Sequence, residues 1–374
     1  MNGSLLAAPP QLTKFEGSPP EVSIIIPARN EEVSLGDCLQ SLTTQTGVTF
    51  EIIVVDDGST DRTRAIAQSF AGVRVISPGP LPVGWTGKNN AMVTGAKEAR
   101  ANWLLFSDAD TVHLRGSLAR ALDEAKKERA ELLSYSPQQV VGTFIERAVM
   151  PVVFTELAVQ YPLHKVREEN SKVVAANGQY ILVRRTAYDA VGGYAAVATE
   201  ILEDVALARL FRNAGLRVYF RYGADSVCTR MYRNWAHLRE GWTKNLALLF
   251  PQSEFLAFQS LLLWLAAWAT FGFAIYGASN HHYVWIAFAV FWLPVYLRIK
   301  IAHFAAANNL LAIAFGLPMF VYLLLRSRKA HANGHVSWKG RDYTVGMKRE
   351  NITAKTQAAK PIPRIEDQKL RTGN

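Results

Sequence analysis

The stretch Trp103-Leu104-Leu105-Phe106-Ser107-Asp108-Ala109-Asp110 decides the fold. An apolar run that ends abruptly in two carboxylates reads as a short strand buried on both faces. Asp108 and Asp110 then stand where the strand leaves its sheet. In open α/β sheets that carboxyl edge is where ligands bind. Two hard oxygen donors there suit a divalent cation that keeps water and phosphate among its ligands. The plain alternative is a strand-end turn, in which Asp is common.

Upstream, the same kind of unit repeats. Val22-Ser23-Ile24-Ile25-Ile26-Pro27 reads as a first buried strand, followed by the loop Ala28-Arg29-Asn30-Glu31-Glu32 and a helix to about Gln45. Glu51–Val55 is a second strand breaking into Asp56-Asp57-Gly58-Ser59-Thr60, where Ser59 or Thr60 can cap a helix through Phe70. Val73–Ile76 is a third strand. The loop Leu81-Pro82-Val83-Gly84-Trp85-Thr86-Gly87-Lys88-Asn89 leads into a helix ending near Ala101. This alternation predicts an α/β class with a mostly parallel, Rossmann-like sheet and helices on both faces. No GxGxxG follows the first strand and no GxxxxGK[ST] occurs, which argues against a dinucleotide fold or P-loop.

At 374 residues the chain has room for about two domains. The 49% of hydrophobic residues is high for a globular protein, and the excess is localised. Phe255–Asn280, Tyr283–Leu297 and Phe304–Leu325 carry no charged residue, and about 20 apolar residues cross a bilayer as a helix. Residues 326–374 hold twelve Lys/Arg against four acids, +8 of the net +10. A basic segment beside a membrane span marks a cytoplasmic flank and attraction to anionic lipid. Nucleic-acid binding is the rival explanation of that charge, and no recognition motif accompanies it. Cys38 and Cys228 show no paired spacing, so neither a disulfide framework nor structural zinc is expected, and a reducing compartment fits. Residues 1–20 have no long apolar core behind a basic start and read as a flexible leader without a secretory signal.

Ile25-Ile26-Pro27-Ala28-Arg29-Asn30-Glu31, Val54-Val55-Asp56-Asp57-Gly58-Ser59-Thr60-Asp61 and Asp108-Ala109-Asp110 occur in order and at suitable distances. Together they resemble the family 2 glycosyltransferases, inverting enzymes of the GT-A fold. The Leu81–Asn89 loop, Ala176-Asn177-Gly178-Gln179-Tyr180-Ile181-Leu182 and Gly192-Gly193-Tyr194 are similar to those of bacterial membrane glycosyltransferases of carotenoid and hopanoid pathways, including the carotenoic-acid branch.

The resemblance implies roles for particular residues. Glu31, Asp56 and Asp57 fall in the nucleotide pocket, where carboxylates accept from ribose hydroxyls and base N–H groups. Lys88 meets the pyrophosphate or the sugar as a point charge. Asp110, and more loosely Asp108, holds Mg2+ or Mn2+ across the two phosphates, Asp108 also contacting sugar or ribose. Ile201-Leu202-Glu203-Asp204-Val205 resembles the family's acidic pair at a helix head, which makes Asp204 the base and Glu203 its neighbour in the donor site. An aspartate at its ordinary pKa of about 4 is ionised at neutral pH. Gly178 and Gln179 close the floor of the site beside the acceptor. The bland readings are loop solvation and capping for the acids, a surface lysine, first-turn acids favoured by the helix dipole, and a strand-edge turn.

Processive relatives carry Q-x-x-R-W after this point. This chain has only Arg239-x-x-Trp242, which predicts transfer of a single sugar. Arg239, Trp242 and Lys244 can cover the diphosphate or lie in an amphipathic helix at headgroup level. Ile145–Val166, interrupted by Pro151 and Pro162, is either a second interfacial helix at a lipid entry or a core helix.

Three full spans would put the basic tail opposite the catalytic domain. Lys/Arg flank every apolar segment except at the Gly277–His282 loop, so two spans form a hairpin with that loop outside. The third segment, Phe304–Leu325 with Asn308, Asn309 and Pro318, then dips in and returns or lies in the interface. Trp338-Lys339-Gly340-Arg341-Asp342-Tyr343 resembles a tail motif of the relatives and brings Arg341 to the site from the cytosolic side. Residues beyond about Met347 read as disordered.

The expected organisation is a leader (1–20), a GT-A domain (21–250), membrane helices (251–328) and a basic cytosolic tail (329–374). The expected activity is metal-dependent, inverting hexose transfer from a nucleotide-diphosphate sugar to a lipid acceptor of terpenoid type. The expected location is the inner membrane, polytopic with a cytoplasmic catalytic domain, with no nucleic-acid partner. Two rivals are a sugar-phosphate nucleotidyltransferase, whose fold also sets acids at strand ends, and a non-catalytic membrane scaffold. The first commonly has a Gly-rich basic N-terminal loop, unlike Pro27–Glu31, and the second is disfavoured by acids at every expected position.

Overall fold

The computed structural model describes residues 19–168, 171–277 and 283–344. The expected leader, the external loop after Gly277 and the tail beyond Met347 therefore lie outside the described residues, apart from the ends of the first two.

In chain order the first half contains β1 (Val22–Ala28), α1 (Leu35–Thr43), β2 (Phe50–Asp56), α2 (Thr63–Gln68), β3 (Val73–Ile76), α3 (Gly87–Glu98) and β4 (Trp103–Phe106). There follow β5 (Thr111–His113), α4 (Ser117–Lys127), β6 (Leu132–Ser136), β7 (Gln138–Gln139), α5 (Phe144–Gln160), α6 (Leu163–Arg167), β8 (Ile181–Arg184) and α7 (Arg185–Ala190). A short 3-10 turn precedes α8 (Glu203–Asn213), β9 (Val218–Tyr222), β10 (Val227–Thr229) and α9 (Trp235–Leu249). The remainder is α10 (Ser253–Gly277), α11 (Tyr283–Lys300), α12 (Ala306–Leu311), a π-helical turn, α13 (Leu317–Ala332), β11 (His335–Trp338) and β12 (Arg341–Thr344).

Among the described residues seven strands form the main sheet, in the order β3-β2-β1-β4-β8-β6-β9. All neighbours are parallel except β8, which runs antiparallel to both β4 and β6. The register pairs Ala28 with Asp56 and Ile25 with Phe106, so β1, β2 and β4 end on one edge. Because β8 is reversed, its start reaches that same edge, with Ile181 opposite Phe106. This is how Gly178 and Gln179, just before β8, come to face the acids after β4.

The apolar strands alternate between two cores, as a sheet covered on both faces requires. Ile24, Ile26, Ile52, Val54 and Leu105 pack with α1 and α4. Ile25, Ile53, Val55, Leu104 and Phe106 pack with α3 and α8. Two element ends differ from the sequence reading. The helix after β2 starts at Thr63, because Asp61 accepts from the Thr63 N–H at 2.9 Å, while Ser59 and Thr60 are engaged with Asp56 and Asn30. The helix before β4 stops at Glu98, since Ser23 and Glu51 capture the Ala101 and Arg100 N–H groups.

A third apolar core joins α5 and α9 to α10–α13. Among the described residues two helices are long and apolar enough to cross a membrane, Ser253–Tyr276 and Ala306–Ala332, with 17% and 44% of their most apolar windows buried. The sequence reading has the third apolar segment, Phe304–Leu325, dip in and return or lie in the interface. Ala306–Ala332 is continuous. Its π turn at Ala312–Gly316 hands over to α-helix at Leu317, and the Ala314 carbonyl, four residues before Pro318 and its missing N–H, accepts instead from the Trp264 and Trp268 indoles at 2.9 and 3.2 Å. Both its ends are tied to the α/β domain. Arg147 donates to Asn308 Oδ1 at 2.8 Å, and Ser327 bonds the Thr243 carbonyl at 2.7 Å and the Ala247 N–H at 2.9 Å. α11 also returns to the domain, through Arg298 to Glu156 at 2.7 Å and His303 stacked on Tyr222 at 4.5 Å.

Candidate active site

The loops after β1 and β2 are bound to each other before any ligand is considered. Asn30, in the left-handed region at φ 53°, accepts the Thr60 N–H at 2.9 Å, and its own N–H donates to Ser59 Oγ at 3.1 Å. Arg29 donates to the Asp57 carbonyl at 2.6 Å, and the Glu31 N–H to Thr63 Oγ1 at 2.7 Å. Gly58, at φ 68°, supplies the tight turn between them. Glu31 and Asp57 are thereby set on one rim.

Opposite them, Lys88 lies in the first turn of α3, an end where the dipole disfavours a cation. Two carboxylates offset that: Asp108 Oδ1 and Glu203 Oε1 each lie 2.8 Å from its Nζ. Burial opposes the lysine charge, but Asp108 and Glu203 outweigh it and hold its pKa well above the ordinary value. Burial likewise works against the Glu203 carboxylate, and Lys88 and Lys244 overcome it and pull its pKa down.

Asp204 is held by two backbone donors, the Gly178 N–H to Oδ2 and the Val205 N–H to Oδ1, both at 2.8 Å. Its pKa is pushed up to about 6, by burial first and the Glu203 charge second, with Lys88 and the two N–H groups resisting. The expectation of an ordinary aspartate is corrected accordingly; the helix head is too dry for one. Gly178 is the only residue type this floor admits without displacement, since a Cβ there would stand 3.1 Å from Lys88 Nζ and 3.5 Å from Asp204 Oδ2.

Asp110 is half-buried, and its Oδ1, shielded from solvent, lacks any hydrogen-bond partner. Burial, then Asp108 and Glu31, push its pKa up to about 7. An unpartnered carboxylate oxygen among other acids is the donor a hard cation needs. Among the described residues no group of three or more His, Cys, Asp or Glu side chains forms a metal cage. A cation here would complete its shell with water and phosphate, as Mg2+-type sites do. On that ground the residues fit a divalent ion.

The remaining wall comes from the far end of the chain. Trp338-Lys339-Gly340-Arg341 makes a two-residue hairpin turn, with φ 47° at Lys339 and 73° at Gly340, as a type I′ turn requires. Its ammonium pairs with Glu31, and Arg341 pairs with Asp57, the second guanidinium nitrogen reaching Oδ1 at 3.1 Å. Lys244 faces the Trp338 ring at 5.2 Å, and burial lowers its pKa. The Lys339 N–H donates to Glu240 Oε1 at 3.0 Å, which fastens the hairpin to α9.

Glu31, Asp57, Lys88, Asp108, Asp110, Gly178, Gln179, Glu203 and Asp204 thus line one cleft of about 390 Å³, with Lys244, Lys339 and Arg341. Three expected residues lie off its wall. Asp56, 4% exposed, accepts the Ser59 N–H and pairs with Arg64 at 3.4 Å. Arg239 offers its carbonyl to Thr243, and Trp242 lines a neighbouring cavity. Lys339 escaped the sequence reading, although an x-Gly pair between alternating residues is a hairpin signal.

A doubly wound sheet with acids from four loops on its carboxyl edge defines the catalytic domain of a GT-A glycosyltransferase. Residues 23–192 match the family model for glycosyl transferase family 2. Those residues thus carry a family 2 glycosyltransferase domain, and the chain as a whole is similar to a carotenoid glycosyltransferase: it is 28% identical over 339 residues to the 4,4'-diaponeurosporenoate glycosyltransferase of Staphylococcus aureus strain MRSA252, covering 87% of this chain and 88% of that one. The strain USA300 protein of the same name is 28% identical over 337 residues. Among solved structures, mannosyltransferase PcManGT from Pyrobaculum calidifontis, in complex with GDP-Man and Mn2+, superposes with a TM-score of 0.49 at 15% identity, covering 84% of this chain and 87% of that one.

Proposed function

We propose that the protein transfers one hexose, with inversion and with a divalent metal, from a nucleotide-diphosphate sugar to a lipid acceptor of terpenoid or carotenoid type at the cytosolic membrane face. The observation that carries this reading is the convergence of Asp57, Asp110 and Asp204 with Lys88, Lys339 and Arg341 on one cleft. Fixed cations beside fixed acids suit a diphosphate bridged by a metal. Similarity to a carotenoid glycosyltransferase over 87% of the chain supports the acceptor class.

In this reading Glu31 and Asp57 accept from the nucleoside, with Asp56 behind them bracing the loop. Lys339 and Arg341 move from those acids onto the diphosphate when it binds, joined by Lys88 and Lys244. Arg239 and Trp242 back the wall rather than touch the donor. Asp110, with Asp108, would hold Mg2+ or Mn2+, which supplies charge compensation as the diphosphate departs. The acceptor oxygen bonds to the anomeric carbon as the bond from that carbon to the phosphate oxygen breaks. Its electron pair stays on the nucleoside diphosphate, and a hydroxyl proton passes to Asp204. Gly178 and Val205 aim that carboxylate, while Gln179 frames the approach.

The domain plan follows: catalysis in residues 21–250, membrane attachment in 251–328, and a tail from 329 that turns back into the cleft. α10 and α11 enter the bilayer as a hairpin, and Ala306–Ala332 lies along its surface. Both ends of that helix meet the catalytic domain, which supports this topology. The test incubates the purified protein with Mn2+, a panel of labelled nucleotide sugars and 4,4'-diaponeurosporenoate, then extracts lipids for mass spectrometry. A glycosylated lipid is expected. No product and no donor hydrolysis with any sugar would overturn the reading.

A further inference from the structure

A second cavity of about 460 Å³ opens directly behind Asp204. Asp204, Asn177, Leu202, Met231 and Asn245 line both this cavity and the acidic cleft, so the two meet at a seam with the carboxylate in it. Away from the seam the wall is mostly apolar, with Gln139, His164 and His303 among its polar members. Phe154, Leu157 and Ala158 of α5 form one side, and Ile301 to Phe304, the turn between α11 and α12, form another. Three polar groups of lining residues are buried without a partner: the Trp242 indole N–H, Asn245 Oδ1 and Gln139 Oε1. One is a donor and two are acceptors, and orphans of this kind call for an explanation that a ligand's polar end would supply.

The cavity also has a connection to the membrane helices. Leu293, Leu297 and Ile301 are 56%, 51% and 48% exposed, and spacing by four puts them on one face of α11 and its end. Ile301 is itself part of the cavity wall. An apolar stripe therefore runs down a helix that faces lipid and finishes at the cavity.

We propose that this cavity seats the apolar chain of the acceptor, which enters sideways from the bilayer along the Leu293–Leu297–Ile301 stripe and presents one terminal carboxyl or hydroxyl at the seam beside Asp204. This rests on the donor-site reading above. It narrows the acceptor class to a long apolar chain with its reactive oxygen at the end. A carbohydrate or peptide acceptor would leave its polar groups unpaired against this wall.

Retinoic acid, an apolar chain ending in a carboxyl, serves as the binding probe, followed by quenching of tryptophan emission in detergent. Ala158→Trp and Ala302→Trp each fill the cavity from a different wall, and neither residue lines the donor cleft. Overpacking at this level is expected to weaken retinoate binding about tenfold or more in each variant, with nucleoside diphosphate binding unchanged. Leu297→Glu is expected to slow uptake from phosphatidylcholine vesicles while leaving affinity in detergent at the wild-type value. Wild-type retinoate affinity in both tryptophan variants, each shown folded by unchanged nucleotide binding, would overturn the inference. Retinoate binding that falls as expected, in a protein that binds no nucleotide, would instead sink the donor-site reading and leave the cavity assignment standing.

Discussion

Gly178 donates its backbone N–H to Asp204 at 2.8 Å, across the junction between a reversed strand and a helix head. Together with the Val205 N–H it steadies a carboxylate that burial and Glu203 push up to about 6. A base of that pKa sits close to working pH, where proton transfer is most effective. With a hydroxyl acceptor, the base must be ionised, so kcat/KM falls about tenfold per pH unit below about 6 and is flat above it. Asp204→Asn lowers transfer by a factor on the order of a thousand while donor binding, read by calorimetry, persists. A pH profile still level at pH 5 would remove Asp204 from this role.

Asp110 presents an unpartnered buried oxygen, and a cation that engages it binds the native state alone. Mn2+ at about a hundred times its Kd then stabilises the fold by roughly 2.7 kcal/mol. A thermal melt should show an upward shift of several degrees in the wild type and none in Asp110→Asn. Chelation should abolish transfer. An equal shift in the variant would place the ion elsewhere.

Arg341 and Lys339 stand on Asp57 and Glu31, so the donor-free cleft has its charges paired internally. If those cations pass to the diphosphate, removing either deletes a charge-assisted contact worth about 1.5–3 kcal/mol. Arg341→Ala is expected to weaken nucleoside diphosphate binding about tenfold or more, and nucleoside binding much less. Arg341→Lys should recover only part, because a point charge replaces a planar fork. Equal losses for nucleoside and nucleoside diphosphate would assign Arg341 to hairpin stability alone.

The strands β1, β2 and β4 and their parallel run were legible because they are mainly β-branched or apolar, each ending in Asp or a polar loop. The acids after them followed from the same fact. Asp204 and Gly178 were legible only through the family resemblance, since nothing local says that a reversed β8 brings residue 178 against residue 204. The separation of Trp242 from the donor cleft was hidden for a related reason: α9 presents its buried face to α13 and its polar face to the hairpin, a choice made by tertiary packing. Lys339 lies 308 residues from its partner Glu31, a pairing no local pattern reveals.

Gly316 is where the Ala306–Ala332 helix presses on α5. A Cβ there would overlap the Ala148 carbonyl of α5, whereas a Cβ at Gly272 on α10 meets nothing within 4 Å. Gly316→Ala must therefore push Ala306–Ala332 outward, at a cost of about 1–3 kcal/mol. Gly272→Ala should be neutral or gain up to about 1 kcal/mol from helix propensity. Melts in detergent micelles distinguish the two. The consequence extends to the site, because α13 leads directly into the hairpin that carries Lys339 and Arg341. Displacing the helix displaces those cations, so Gly316→Ala should also weaken nucleoside diphosphate binding, and Gly272→Ala should not. A destabilised Gly316→Ala protein that bound the diphosphate as tightly as the wild type would show that the hairpin holds its position through α9 alone.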